Sequence, residues 1–316
     1  MSRAHSTWRE WLSRYGIGLA FLGLAGALAL LSPTFLTPSN ILNVLRQISV
    51  NALLAFGMTT VILGAGIDLS VGSVLALCGA LAAGFSRSGW PPALAMLAAL
   101  AIGAALGLFN GAFVAFARIA PFIATLGGLT IFRGATLVYT DGRPITGVPE
   151  AFDVLGNGVV LGVPVPVWVM LGFLGLTHFI LRYTALGRAI YALGGNEEAA
   201  RLSGLPIVRV RLFTYAYSGL ASALAALVLT GRLDSAQPTA GVGFELDAIA
   251  AVVVGGTSLF GGRGGVVGTF VGAAIIGVLN NGMNLLDVSA FYQQIVKGGV
   301  ILGALLIDRL LSTRGE

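Results

Sequence analysis

The sequence predicts an all-α polytopic membrane protein with about ten transmembrane helices. Hydrophobic residues fill 56% of the 316 positions and charged residues only 10%, against roughly 25% charged in an ordinary soluble domain. A helix needs about 20 mostly apolar residues to cross ~30 Å of hydrocarbon. Uncharged stretches of about that length or longer occupy residues 15–45, 47–67, 88–117, 154–181, 212–231 and 264–286. These observations exclude a water-soluble globule.

Four further apolar stretches complete the count, although they are shorter or carry a single charge such as Arg133 or Lys297. The predicted spans are 16–36, 48–65, 71–86, 92–115, 121–139, 164–181, 211–231, 243–258, 265–286 and 290–308. The whole chain, 1–316, is therefore expected to be one transmembrane domain. The first span is expected to be retained, because Ser32 and Pro33 follow it instead of a small-residue cleavage site.

Basic residues predict the orientation of the spans. With the N-terminus inside, most of the 18 lysines and arginines fall on the cytoplasmic side, as the positive-inside rule requires. We therefore expect both termini in the cytoplasm, with residues 1–15 as a tail and residues 182–210 as the longest cytoplasmic loop. The hydrophilic segments 141–162 and 232–243 fall outside and are expected to form a receptor face.

The 46 glycines indicate close helix packing, because small residues at four-residue spacing let two helices approach. Gly103, Gly107 and Gly111 form one such series, and Gly264, Gly268 and Gly272 form another.

Internal sequence similarity predicts an inverted repeat of spans 2–5 and 7–10. Residues 66–70 (Gly-Ile-Asp-Leu-Ser) resemble residues 243–247 (Gly-Phe-Glu-Leu-Asp), and further echoes follow in the same order. The predicted topology places the two copies toward opposite sides of the membrane, an arrangement common in transporters.

Acidic residues occur at matching positions of the two similar segments, where they are expected to be functional or structural. Asp68, with Ser70, and the pair Glu245 and Asp247 are candidates for helix breaks or gates, in which a carboxylate accepts backbone N–H groups freed at a helix start. Direct substrate contact or proton relay is the alternative. Lys297 could reach the interface, a carbonyl or Asp287.

Uncharged amides within the spans could line a route for a neutral polyol. The candidates for this translocation path are Asn51, Asn280 and Gln293. The same amides also fit hydrogen bonding between helices, worth about 0.6 to 2 kcal/mol each.

The loop 182–210 contains a predicted short surface helix. Asn196 can cap it, Glu197 and Glu198 occupy its first turn, and Arg201 follows Glu197 by four residues. Gly204 is expected to end it. Ala199 and Ala200 are expected to be exposed, so that the helix can enter a groove of a partner, although a plain connector is the alternative. The full candidate set is Asn196, Glu197, Glu198, Ala199, Ala200, Arg201, Ser203 and Gly204.

Enzymatic motifs are missing from the sequence. It contains no G-x-x-x-x-G-K-[ST] phosphate loop, no H-E-x-x-H and no G-x-S-x-G. The single cysteine, Cys78, excludes a disulfide framework. We expect a chain that is not an enzyme, holds no metal or cofactor and binds no nucleic acid.

Several motifs in order resemble the permease subunit of ribose-type ABC importers, from about residue 30 to 308. They are residues 49–52 (Ser-Val-Asn-Ala), 66–73, 122–126, 191–197, 236–241 and 245–253. The resemblance implies a monosaccharide permease, ribose above all, although xylose, galactose, allose and inositol permeases look alike. It also implies a type II importer fold with ten helices per subunit, in the bacterial inner membrane.

The resemblance further implies three partners: a second permease copy, a cytoplasmic ABC ATPase that supplies ATP and Mg²⁺ chemistry, and a periplasmic sugar-binding protein. In such systems a cytoplasmic loop helix, here Asn196 to Ser203, docks into the ATPase. The alternative function is an ion-coupled secondary sugar transporter, which would need an ion site at mid-depth in the membrane. A scaffolding membrane protein is a third and weaker hypothesis.

Overall fold

Helices make up most of residues 18–312, the part of the chain that the computed structural model describes. They are α1 Gly18–Leu31, α2 Pro38–Leu63, α3 Val71–Arg87, α4 Pro92–Ala115, α5 Pro121–Thr140, α6 Glu150–Asn157, α7 Val165–Tyr183, α8 Ala185–Gly195, α9 Glu197–Leu202, α10 Ile207–Leu233, α11 Phe244–Val254, α12 Val266–Leu285 and α13 Ala290–Ser312. Strand β1 (Ile145–Thr146) pairs antiparallel with β4 (Ser235–Ala236), and β2 (Val159–Val160) pairs with β3 (Val163–Pro164).

Within the described residues, six helices are long and apolar enough to cross a membrane. They are α2, α4, α5, α7, α10 and α12, so the chain is a multi-pass membrane protein. Five of the six begin with proline at their first or second position or directly follow one, as α10 follows Pro206. Proline suits a helix start because its missing N–H has no partner there in any case.

The prediction of about ten spans is wrong. The predicted span 71–86 is α3, which has 17 residues, and the predicted span 243–258 is α11, which has only 11. The predicted first span starts beyond the described residues, and α1 falls among the shorter apolar helices. The predicted last span is α13, which has several side chains outside the described residues.

The predicted inverted repeat of four spans each, and the ten-helix importer fold that the resemblance implied, fail for the same reason. Of the predicted spans 7–10, only α10 and α12 meet the length and apolarity that crossing requires. Apolar composition does not distinguish a full span from a half-length helix such as α11, because residues 248–254 are as apolar as a spanning helix.

Helix α10 lies at the centre of the molecule and packs against α2, α3, α4 and α6. Small residues bring α4 and α10 together: a Cβ placed on Gly107 would lie 2.1 Å from the carbonyl oxygen of Tyr215, and one on Gly219 would lie 2.0 Å from that of Gly103. The predicted close crossing at the first glycine series is confirmed. In the second series, Gly268 and Gly272 approach the backbone of α11 in the same way.

Helices α2 and α12 run antiparallel and are joined by polar contacts at both ends. Asn40 and Asn281 exchange hydrogen bonds through their amide groups at 2.9 and 3.1 Å. At the other end, the buried hydroxyls of Thr59 and Thr269 lie 2.8 Å apart. These contacts fix the register of the two helices.

We predict that Gly107→Ala lowers the free energy of unfolding by about 1 to 3 kcal/mol, because the added methyl group overpacks the crossing with α10. The buried thiol of Cys78 reports unfolding, so the measurement is the temperature at which a thiol-reactive dye labels it in detergent. Gly134→Ala in α5 is the matched control, since a Cβ there meets nothing within 4 Å. Equal labelling temperatures for both variants would contradict the tight crossing.

Candidate functional site: a helix break and a surface helix

The segment 64–70 interrupts the path from α2 to α3 and carries Asp68, which is 1% exposed. Oδ1 of Asp68 accepts hydrogen bonds from the backbone N–H of Ser70 at 3.0 Å and from its hydroxyl at 2.6 Å. Oδ2 accepts from the hydroxyl of Ser218 on α10 at 2.8 Å. The carboxylate therefore links the start of α3 to the central helix.

Two further helices contact the same turn. Asn110 on α4 donates to the Ser70 hydroxyl at 2.8 Å, and Thr125 on α5 donates to the carbonyl of Ile67 at 3.2 Å. The side-chain oxygen of Asn110 is buried and has no hydrogen-bond partner. A backbone break at this depth is possible because neighbouring side chains satisfy the freed polar groups.

The acidic pair Glu245 and Asp247 has a different environment from that of Asp68. Asp247 is 4% exposed and accepts a hydrogen bond from the ammonium group of Lys297 on α13 at 2.9 Å. Glu245 contacts the backbone N–H of Gly243 at 3.3 Å. Asp247 is not the partner predicted for Lys297, since 50 residues separate the two groups along the chain.

Arg133, the single charge within α5, binds backbone carbonyls. Its guanidinium donates to the carbonyl of Pro238 at 2.6 Å and to that of Gly72 at 3.4 Å. At the same place the chain passes α3 closely, since a Cβ on Gly72 would lie 2.0 Å from the carbonyl oxygen of Gly241. The segment before α11 is thereby held between α3 and α5.

The amides predicted to line a path do not meet in this chain. Asn51 and Asn280 are half-buried on the antiparallel helices α2 and α12, on opposite sides of the contact between Ile48 and Gly277. Gln293 donates to the side chain of Asn284 at 2.8 Å and to the carbonyl of Val288 at 2.9 Å. It therefore closes the turn between α12 and α13.

The predicted surface helix is α9, Glu197–Leu202. The side chain of Asn196 accepts from the backbone N–H of Ala199 at 2.9 Å, and Gly204 follows the helix with a positive φ of 78°. Ser203 donates its hydroxyl to the carbonyl of Ala199 at 2.8 Å. The cap at Asn196 and the glycine that follows the helix are therefore as predicted.

Two expectations for α9 are wrong. Ala199 is exposed, but Ala200 is buried, at 3% exposure. Arg201 pairs with Glu198 at 2.7 Å rather than with Glu197, which itself binds Arg211 on α10. The hydrogen bond with Glu198 raises the pKa of Arg201. The helix is therefore docked through one face, and the other presents Glu197, Glu198 and Ala199.

The two segments predicted to form a receptor face lie together. Helix α6 packs on the end of α10, where a Cβ on Gly156 would lie 2.0 Å from the backbone nitrogen of Arg232, and β1 pairs with β4. We call the surface formed by α6, β1, β4 and their flanking residues the acidic platform. Its exposed charges are mostly acidic: Asp141, Arg143, Glu150, Asp153 and Asp234.

Among residues 18–312, no group of three or more histidine, cysteine, aspartate or glutamate side chains could hold a metal ion. The groups described above can bind neutral or charged partners through hydrogen bonds and ion pairs. They do not form a nucleophile–base arrangement.

Comparison with known proteins places these features in context. Residues 40–305 match the family described as the branched-chain amino acid transport system permease component. The chain is 54% identical over 300 residues to the ribose import permease protein of Haemophilus influenzae, covering 94% of this chain and 93% of that protein. No solved structure matches it.

Two more relatives are similar over nearly their whole length. The ribose import permease protein of Bacillus subtilis is 54% identical over 94% of this chain and 93% of its own length. The D-allose transport system permease protein of Escherichia coli is 42% identical over 95% of this chain and 92% of its own length.

We predict that Lys297→Met lowers the free energy of unfolding by roughly 3 kcal/mol, because it leaves the Asp247 carboxylate buried without a partner. The double variant Asp247→Leu/Lys297→Met removes both charges and is expected to recover most of that loss. Thermal unfolding in detergent, again followed through Cys78, measures both. A double variant no more stable than the single one would contradict a pairing role for Lys297.

Proposed function

This chain belongs to the branched-chain amino acid transport system permease family, and we propose that it is the membrane-spanning subunit of an ATP-driven importer of monosaccharides. Its proposed substrate is ribose. The family membership rests on a match that covers residues 40–305. Transport, and not catalysis, is therefore the activity to be explained by the spans and their connecting segments.

The observation that carries the choice of sugar is the gradient of identity among the relatives. Identity to the two ribose import permeases is 54%, against 42% to the D-allose permease. Both comparisons cover nearly the whole chain, so the difference does not arise from a missing segment.

Energy for transport is proposed to come from a separate ATPase that binds ATP and Mg²⁺, with no cofactor in this chain. The absence of a phosphate-binding loop supports this division. An ion-coupled transporter is disfavoured, because the buried carboxylate of Asp247 is already paired with Lys297 and that of Asp68 accepts three hydrogen bonds.

The surface helix α9 is proposed as the contact with the ATPase, in a bacterial inner membrane with both termini in the cytoplasm. Its exposed face carries Glu197, Glu198 and Ala199, while the buried Ala200 and the ion pair to Arg211 fix it to α10. A movement of the ATPase is thereby transmitted to the central helix.

The acidic platform of α6 and the β1–β4 pair is proposed as the docking face for a periplasmic sugar-binding protein. Charge there would steer encounter with a basic surface. The sugar is proposed to pass between two copies of the chain, and Asn51 and Asn280 stay candidates for the lining. The helix breaks at Asp68 with Ser70, and at Glu245 with Asp247, are the proposed gating elements.

Uptake by reconstituted vesicles tests the function. Vesicles that contain this permease with its ATPase, ATP and a ribose-binding protein should accumulate labelled ribose, and an excess of unlabelled ribose should compete better than allose or xylose. Omission of the ATPase should abolish uptake, whereas a protonophore should leave it unchanged. Uptake that follows an ion gradient without the ATPase would overturn the proposal.

The coupling role of α9 is tested by Ala199→Trp. The bulky side chain should block docking and weaken capture of the ATPase by roughly tenfold or more, as expected for a central interface position. Ala192→Trp is the matched control, since Ala192 is an exposed alanine on α8 of the same loop. Capture is measured by copurification from membranes that hold equal amounts of each permease.

Charge gives a second and independent test of the same contact. Glu197→Lys with Glu198→Lys should also weaken capture, while Arg211→Gln, which removes only the ion pair to Glu197, should weaken it less. If all these variants captured the ATPase like the parent, α9 would be a plain connector.

A further inference from the structure

A groove of about 1100 Å³ opens where three membrane-spanning helices meet their connecting segments. One wall is residues 114–121, which include the end of α4 and the start of α5. The other wall is formed by α9 and by residues 205–211, where α10 begins. Because one spanning helix ends and two begin here, the groove lies at the level of the membrane surface.

The charges that line the groove do not balance. Four arginines and two glutamates contribute to its walls, and each glutamate pairs with one arginine, Glu198 with Arg201 and Glu197 with Arg211. Arg118 and Arg209 are exposed and have no ion-pair partner among the described residues. Two positive charges therefore face the groove without a counter-charge.

The unpaired charges lie on a spanning helix and on a link between two others. Arg118 belongs to the link between two spanning helices, and Arg209 belongs to the first turn of a third. The glutamates lie on α9, where Arg201 and Arg211 balance their charges. The N-termini of α5 and α10 add partial positive charge at this level, which exceeds the partial negative charge from the C-terminus of α4.

An apolar surface adjoins the basic wall. Phe116, just after α4, is 65% exposed, and Phe122 and Ile123 at the start of α5 are 54% and 62% exposed. Exposed apolar patches of this kind mark membrane or protein contacts, and these side chains lie at the ends of membrane spans.

We propose that this groove binds the headgroup of an anionic phospholipid. Arg118 and Arg209 contact the lipid phosphate, and the acyl chains lie against Phe116, Phe122 and Ile123. Basic pockets between spanning helices are a recognised form of anionic lipid recognition. This binding does not depend on which solute the chain transports.

The groove also selects this occupant over a soluble acidic one. A free phosphate ion would use the arginines but leave the neighbouring apolar side chains uncovered. A soluble acidic segment would likewise pair with the arginines and leave the exposed apolar side chains of Phe116, Phe122 and Ile123 uncovered.

The test is a lipid titration of the purified full-length permease in detergent, followed by native mass spectrometry. Dioleoyl-phosphatidylglycerol should bind more tightly than dioleoyl-phosphatidylcholine. Arg118→Gln/Arg209→Gln should weaken binding of the anionic lipid by roughly fivefold for each arginine removed and roughly 30-fold for both. Arg118→Lys/Arg209→Lys keeps the charge and should retain most of the affinity.

Arg143→Gln is the control, because Arg143 is exposed on the opposite connecting loop, and it should leave the affinity unchanged. Equal affinity for the two lipids, or an unchanged affinity in the glutamine double variant, would overturn the proposal. Full displacement of the anionic lipid by inorganic phosphate would make this a site for small anions. Loss of ATPase capture by the double variant in lipid-free detergent, with the lipid affinity unchanged, would assign the groove to a protein partner instead.

Discussion

The irregular turn between α2 and α3 is the feature on which the rest of the fold depends, since a backbone break in the interior of a membrane protein needs a partner for every freed polar group. Asp68 supplies acceptors for the start of α3 and for Ser218 on α10. Asn110 and Thr125 contribute from α4 and α5. Four helices must therefore lie close to one short segment, and their arrangement follows from that requirement.

Glycine makes this proximity possible. Helix α10 can approach α4 only because Gly103, Gly107 and Gly219 present no side chain at the crossing. In a membrane there is no hydrophobic gain from bringing two apolar helices together, so close packing and hydrogen bonds supply the stability. The small residues and the polar turn therefore depend on each other, because the close crossing of α4 and α10 brings Ser218 near enough to bind Asp68.

Local signals in the sequence predicted a good part of this structure. Charge-free length located five of the six spanning helices, whereas α5 was predicted from an apolar stretch that carries Arg133. The capping of α9 followed from Asn196 and Gly204. Length did not predict where an apolar stretch breaks: residues 15–45 contain no charge, yet α1 ends at Leu31 and α2 begins at Pro38. A turn over residues 33–36 divides the stretch.

Contacts between distant residues were beyond the reach of pattern analysis. The pairing of Lys297 with Asp247 joins α13 to α11, and nothing in either local sequence identifies the other group. The burial of Ala200 likewise depends on how α9 docks, because an alanine fits either face of a helix. The groove at the ends of α4 and α9 arises from segments about 80 residues apart along the chain, and its charge imbalance appears only when the ion pairs of Arg201 and Arg211 are known.

The guanidinium of Arg133 makes α5 and the segment before α11 a single mechanical unit. It holds the carbonyls of Pro238 and Gly72 at the same time, while most of α5 is exposed on its other sides. A tilt of α5 cannot occur alone, because it would pull both carbonyls or leave a cation without acceptors in an apolar medium. Arg133 therefore couples the two elements, so that any tilt of α5 displaces the chain that leads into α11.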